Sequence, residues 1–129
     1  MRVENNTIIN PRHYGIETAF NSKYPDDPET GKYSENIIIR DNIVIDNQMS
    51  PAFHFDYLKN SVVKNNKAMN RDHPDFNIHS RKETEAGFYF SNSLNITCFG
   101  NEVNDSRLTP EKHIVLGDNN NNISLSERP

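Results

Sequence analysis

Glu17, His54, Tyr89 and Asp56 are the residues of this chain whose types and spacing best suit chemistry. Each lies in a short stretch that alternates apolar and polar residues: GIETAF from Gly15, AFHFDY from Ala52 and GFYFSN from Gly87. Aligned, the stretches place Glu17, His54 and Tyr89 in one column, with Asp56 two residues beyond His54 on the same face. A carboxylate beside an imidazole can move a proton near neutral pH, and a second carboxylate makes an acid/base pair. If the stretches are adjacent parallel strands, Glu17 and Asp56 lie one strand apart (~4.8 Å) and two residues along it (~6.8 Å), about 8 Å in all. An inverting glycosidase uses carboxyls at that separation, one protonating the leaving oxygen and the other activating water; a retaining pair sits closer. His54 would tune either carboxyl through its charge. The bland alternative stands beside this one: an outward Glu-His-Tyr column is also what a solvated face looks like, with His54 pairing with Glu17 across the strands.

What would hold these residues in register is an internal repeat. Asn36/Asn42, Asn60/Asn66 and Asn95/Asn101 share the form N-x-x-x-x-x-N, Asn122 opens a fourth segment, and Asn6 matches the second member of a pair whose first half is missing. The segments read ENIIIRDNIVIDN, KNSVVKNNKAMN, LNITCFGNEVN and NNISLSE, and their first asparagines are 24, 35 and 27 residues apart. A 24-residue unit with short apolar strands fits one coil of a parallel β-solenoid and is too short for a pair of stable helices. The longer units carry insertions, which a solenoid tolerates because each coil touches only its neighbours.

The columns support strands. Ile37, Ser61, Ile96 and Ile123, then Ile39, Val63, Cys98 and Leu125, then Ile8, Val44, Ala68 and Val103 point inward; Arg40, Lys64, Phe99 and Ser126 point outward. That alternation has the period of two that strands require. In the Glu17 stretches the inward columns are Ile16, Phe53, Phe88 and Thr18, Phe55, Phe90, with HIVL from His113 as a fourth stretch. Stacked phenylalanines would fill the core. Asn suits the left-handed corners between sheets and can hydrogen-bond from coil to coil. The N-x-S/T matches at Asn5, Asn95, Asn104 and Asn122 are then by-products of the corners.

These stacked columns, from about Asn6 to Leu125, resemble the right-handed parallel β-helix of the pectin-lyase-like superfamily. The resemblance implies an all-β chain: a right-handed parallel β-helix of about four coils, one partial domain over residues 1–129. Its members are mostly secreted polysaccharide lyases and glycoside hydrolases, with phage tailspikes and other surface proteins among them. The Asn-rich coils look most like those of bacterial glycan hydrolases of the α-1,3-galactosidase type, although no family catalytic motif matches residue by residue. The implied partner is an oligosaccharide or polysaccharide, and the implied location of the parent protein is extracellular or periplasmic.

Two insertions, 21–33 (NSKYPDDPETGKY) and 71–86 (RDHPDFNIHSRKETEA), flank the Glu17/His54/Tyr89 column. They would wall a groove whose floor is carboxylate and imidazole, with Tyr89, Tyr24, Tyr33 and Arg81 as substrate-binding residues. The run PDDPE lacks the ligand periodicity of a calcium loop, and His73, His79 and His113 share no zinc spacing, so the reading has no metal and no cofactor. A lyase is a second enzymatic reading, with Arg40 or Lys64 as base. A non-catalytic structural or stacking fragment is a third.

Composition narrows the rest. The chain has 129 residues, 33% of them hydrophobic, and a net charge of −4; mean hydropathy is −0.85. That suits a narrow core with polar turns and argues against nucleic acid or an anionic membrane as partner. The chain shows no signal peptide or membrane-spanning run. It is read as starting halfway through a coil and lacking capping helices, so self-association through open solenoid ends is expected. The one cysteine, Cys98, falls in an inward column and reads as a buried structural thiol.

Overall fold

Corners fix where each strand can run, and here they are made by asparagine and aspartate. In the computed structural model, which describes residues 1–19, 33–71 and 86–126, every non-glycine residue with φ between +48° and +63° is Asn or Asp except Tyr57. The short polar side chains of Asn and Asp tolerate this left-handed backbone, which branched residues avoid.

Between corners the described chain runs through β1 (Arg2–Glu4), β2 (Thr7–Ile9), β3 (Ile16–Thr18), β4 (Ser34–Glu35), β5 (Ile38–Arg40), β6 (Ile43–Ile45) and β7 (Phe53–Asp56). It continues through β8 (Leu58–Lys64), β9 (Lys67–Met69), β10 (Phe88–Ser91), β11 (Leu94–Phe99), β12 (Glu102–Asn104), β13 (Ile114–Leu116) and β14 (Asn121–Ser126). A 3₁₀ turn, Pro110–Lys112, precedes β13. Three sheets result, with orders β1-β5-β8-β11-β14 (β4 also pairing with β8), β2-β6-β9-β12 and β3-β7-β10-β13. Every pairing is parallel. The chain visits the first, second and third sheets in turn and returns to the first one strand further on. The chain is therefore all-β, with three stacked parallel sheets compatible with a β-helix.

The inward columns fall as the alternation requires, except that Leu125 in β14 is 44% exposed. Phe53 stacks on Phe88 at 4.5 Å and 7° between ring planes, and Phe55 meets Phe90 at 5.1 Å. With Ile39, Val63, Cys98, Val44 and Ala68 these rings form one buried cluster. Burial pushes the Cys98 thiol up to about 12, because an apolar surround disfavours the thiolate. Cys98 is thus expected to resist iodoacetamide at pH 8 in the folded chain and to react at the ordinary thiol rate in denaturant. Fast labelling of the folded chain would contradict this packing.

Asparagines divide into two jobs that the repeat does not distinguish. The first of each pair, Asn36, Asn60, Asn95 and Asn122, takes the left-handed corner. The second forms an inner column, buried at Asn42 and Asn66. Asn6, Asn42 and Asn66 each donate backbone N–H and side-chain Nδ2–H to Oδ1 of the next Asn, at 3.0–3.1 Å, ending on Asn101. Asn42, Asn66 and Asn101 also donate Nδ2–H to the carbonyls of Val3, Ile39 and Val63. An outer column runs with the opposite polarity: Asn122 donates to Asn95, and Asn95 to Asn60.

The structure differs from the sequence reading in two places. Each N-x-x-x-x-x-N segment forms two strands in two sheets, because Asp41, Asn65 and Gly100 also adopt positive φ and break it. The segment before Asn6 is present as β1, paired with β5 from Arg2↔Ile38 to Glu4↔Arg40; only the leading Asn of the pattern is missing. The bulk of both insertions lies outside the described residues.

Candidate functional site

Glu17, His54 and Tyr89 lie directly opposite one another on β3, β7 and β10, as the column requires. Their side chains point outward because Phe53, Phe55, Phe88 and Phe90, the residues flanking His54 and Tyr89, fill the core. His54 is held as a slice in a ring stack: Tyr14 lies on one face at 4.4 Å and Tyr89 on the other at 5.5 Å, the latter only 4° from parallel. Gly117 makes room for this stack, since a Cβ there would overlap Tyr89 Oη.

His54 Nδ1 is buried without a hydrogen-bond partner, and Glu17 Oε2 stands 3.7 Å from it. That distance is too long for a hydrogen bond and lies within ion-pair range. Glu17 is 43% exposed and His54 19%, so the carboxylate reaches solvent while the ring is clamped. The pair can bind a hydroxyl-rich ligand at its edge or exchange a proton with one.

Asp56 sits on the same face, opposite Ser91. Its Oδ1 accepts from Ser91 Oγ at 3.0 Å and from Asn92 Nδ2 at 2.8 Å. Both donors belong to the β10 side, away from Glu17, so the carboxyl is oriented by the neighbouring coil. Asn92 in turn accepts from Asn119 Nδ2. Thr18 Oγ1 donates to the Asp56 carbonyl. No hydrogen bond joins Asp56 to Glu17 among the described residues; the two carboxyls share a face without touching.

Tyr33 lies where the chain enters β4, its ring 5.7 Å from that of Tyr57 and the Lys59 ammonium 5.4 Å from its centroid. This aromatic and basic group stands at the exit corner of the third sheet, beyond Asp56. Tyr24 and Arg81, with His73 and His79, lie outside the described residues. Tyr14, Ser91, Asn92 and Gly117 escaped the sequence reading. Ser91 was open to it, being two past Tyr89 in the column of Asp56, whereas Tyr14 and Asn92 sit at corners, where alternation stops.

The other candidate chemistry looks different. Arg40 and Lys64 are indeed cross-strand neighbours, but Arg40 Nε donates to Glu4 Oε2 at 2.6 Å. That hydrogen bond, followed by the charge of Glu4, raises the Arg40 guanidinium above its ordinary value, the wrong direction for a base. Lys64 rests over the Phe99 ring at 5.7 Å. Among the described residues no group of His, Cys, Asp and Glu is arranged to hold a metal ion, and no helix is long and apolar enough to cross a membrane.

Comparison with protein-family models, curated proteins and solved structures gives no match to this chain.

Proposed function

We propose that the three sheets belong to a right-handed parallel β-helix of the pectin-lyase-like kind, and that the chain is a carbohydrate-active module of a secreted glycoside hydrolase. The glycan would lie across the outer face of β3, β7 and β10. The observation that carries this reading is the Tyr14–His54–Tyr89 stack with Glu17 against it. A clamped stack costs little side-chain entropy on binding, and its edges offer hydroxyl, imidazole and carboxyl groups to sugar hydroxyls. Tyr33, Tyr57 and Lys59 extend the same surface past the corner. In the hydrolytic form of this reading, Glu17 is the acid and Asp56, aimed by Ser91 and Asn92, activates water, giving inversion.

Hydrolysis of an oligosaccharide, followed by NMR of the anomeric proton, tests the chemistry. Glu17→Gln and Asp56→Asn are each expected to lower turnover by at least about a hundredfold, as loss of a general acid or base does. Glycan binding that persists while no hydrolysis occurs would remove the catalytic assignment and leave a binding face. A non-catalytic, structural role is the second reading, favoured by the regular stacking of the three parallel sheets.

A further inference from the structure

Tyr57 stands where the fold calls for asparagine. Its N–H donates to the Ser91 carbonyl, and the Asn92 N–H donates to the Asp118 carbonyl, so Tyr57, Asn92 and Asn119 turn the same corner in successive coils. All three are left-handed, with φ of 55°, 48° and 63°. A large L side chain is disfavoured at such a φ, whereas asparagine is tolerated. The Tyr57 backbone is pinned there from both sides, since its carbonyl also accepts from the Ser34 N–H at 2.9 Å. Outliers held in this way gather at functional sites.

The corner asparagines show what the tyrosine replaces. At the corner within β8, β11 and β14, Asn122 Nδ2 donates to Asn95 Oδ1, and Asn95 Nδ2 to Asn60 Oδ1. Each amide thus reaches one coil back, to the residue at the same corner. Asn119 follows this pattern, its Nδ2 donating to Asn92 Oδ1 at 3.1 Å. Asn92 would next donate to the residue at the corner before it, but Tyr57 carries no amide oxygen. Its Nδ2 turns instead to Asp56 Oδ1, at 2.8 Å. Ser91 Oγ donates to the same oxygen at 3.0 Å. Asp56 Oδ2 has no hydrogen bond among the described residues, and it is not buried, because the buried side-chain polar atom without a partner there is His54 Nδ1.

We propose that Tyr57 is a positioning residue for Asp56. By withholding an acceptor at the corner, it diverts the end of the amide ladder onto Oδ1. Two donors on one oxygen restrict rotation of the carboxyl and leave Oδ2 open to water or a sugar hydroxyl on the outer face of the sheet. The catalytic part of this role rests on the reading of Asp56 as the base; the diversion itself does not. A base held in one orientation gains rate without any new contact to substrate. The corner accepts backbone strain in order to hold one carboxyl, as active sites do.

Tyr57→Asn and Tyr57→Gly, made in the whole chain, separate the diversion from the loss of the ring. Both remove the phenol and suit a left-handed φ, but only asparagine offers the missing Oδ1. Both should fold, since relief of the left-handed strain offsets the lost contact with Tyr33. Crystal structures without glycan should show Asn92 Nδ2 on the introduced amide in Tyr57→Asn, and still on Asp56 Oδ1 in Tyr57→Gly. In the oligosaccharide assay, kcat of Tyr57→Asn should fall about tenfold or more below that of Tyr57→Gly, because a misaimed base loses rate. KM should be alike in the two, as both lack the ring. Asn92 remaining on Asp56 in Tyr57→Asn, or equal kcat in the two variants once it has moved, would overturn the proposal. A wild-type chain that hydrolyses nothing would instead overturn the reading of Asp56 as base and the catalytic role with it, while the crystal structures still decide the diversion.

Discussion

Asn66→Ala is expected to destabilise the chain by several kcal/mol, and Asn95→Ala by only about 1–2 kcal/mol, mostly the strain of alanine at its left-handed φ of 56°. Asn66 is 1% exposed, and its side chain accepts from the Asn42 N–H and Nδ2–H while donating to Asn101 Oδ1 and the Ile39 carbonyl. Alanine leaves two buried donors unpaired and takes one bond each from two acceptors, and each unpaired buried group costs about 1–3 kcal/mol. A domain of this size has about 5–15 kcal/mol in total. Asn95 makes an equally short bond to Asn60, but water replaces it at an exposed corner. Urea unfolding of the two variants checks the contrast. Equal losses would mean that the buried column is no more than surface decoration.

Arg107→Ala is the second large effect, expected at about 3–5 kcal/mol, the usual cost of leaving a buried charge without its partner. The Arg107 and Asp105 side chains are 10% and 3% exposed, and Nη2 donates to Asp105 Oδ2 at 2.7 Å. Arg107 Nε also donates to Asp105 Oδ1, and its Nη1 and Nη2 reach the Asn47 carbonyl and Oδ1. The guanidinium therefore clips the segment after β12 to the corner after β6, two coils away. Lysine cannot reproduce that planar fork, so Arg107→Lys should recover only part of the loss. Adding Asp105→Asn to Arg107→Ala should restore stability, because the stranded charge is gone. A double variant worse than either single one would show that the clip acts through packing and not through charge.

Much of the site's floor could be read from the sequence because strands have a period of two. Phe53, Phe55, Phe88 and Phe90 had to face inward, which left His54 and Tyr89 outward and set Glu17 beside them; the observed register agrees residue for residue. Corners were harder. Asn36 and Asn42 are the same residue type in the same repeat, yet one turns the chain and the other bonds inside it, and only hydrogen-bond direction separates them. The break at Asp41, Asn65 and Gly100 was hidden for the same reason, since apolar residues on both sides read as one continuous pattern. Tyr14 reaches His54 from a corner, so no periodicity announced it. Asp56 was placed on the correct face, but that Ser91 and Asn92 aim it away from Glu17 depends on side-chain directions that spacing does not encode.

The central claim is that the outer face of β3, β7 and β10 holds a glycan, and a glycan-array screen of the whole chain beside its Glu17→Ala variant tests it most directly. The account predicts that the wild type binds a restricted set of oligosaccharides and that Glu17→Ala loses them while melting at nearly the same temperature. Absence of binding, or binding unchanged by the substitution, would contradict it.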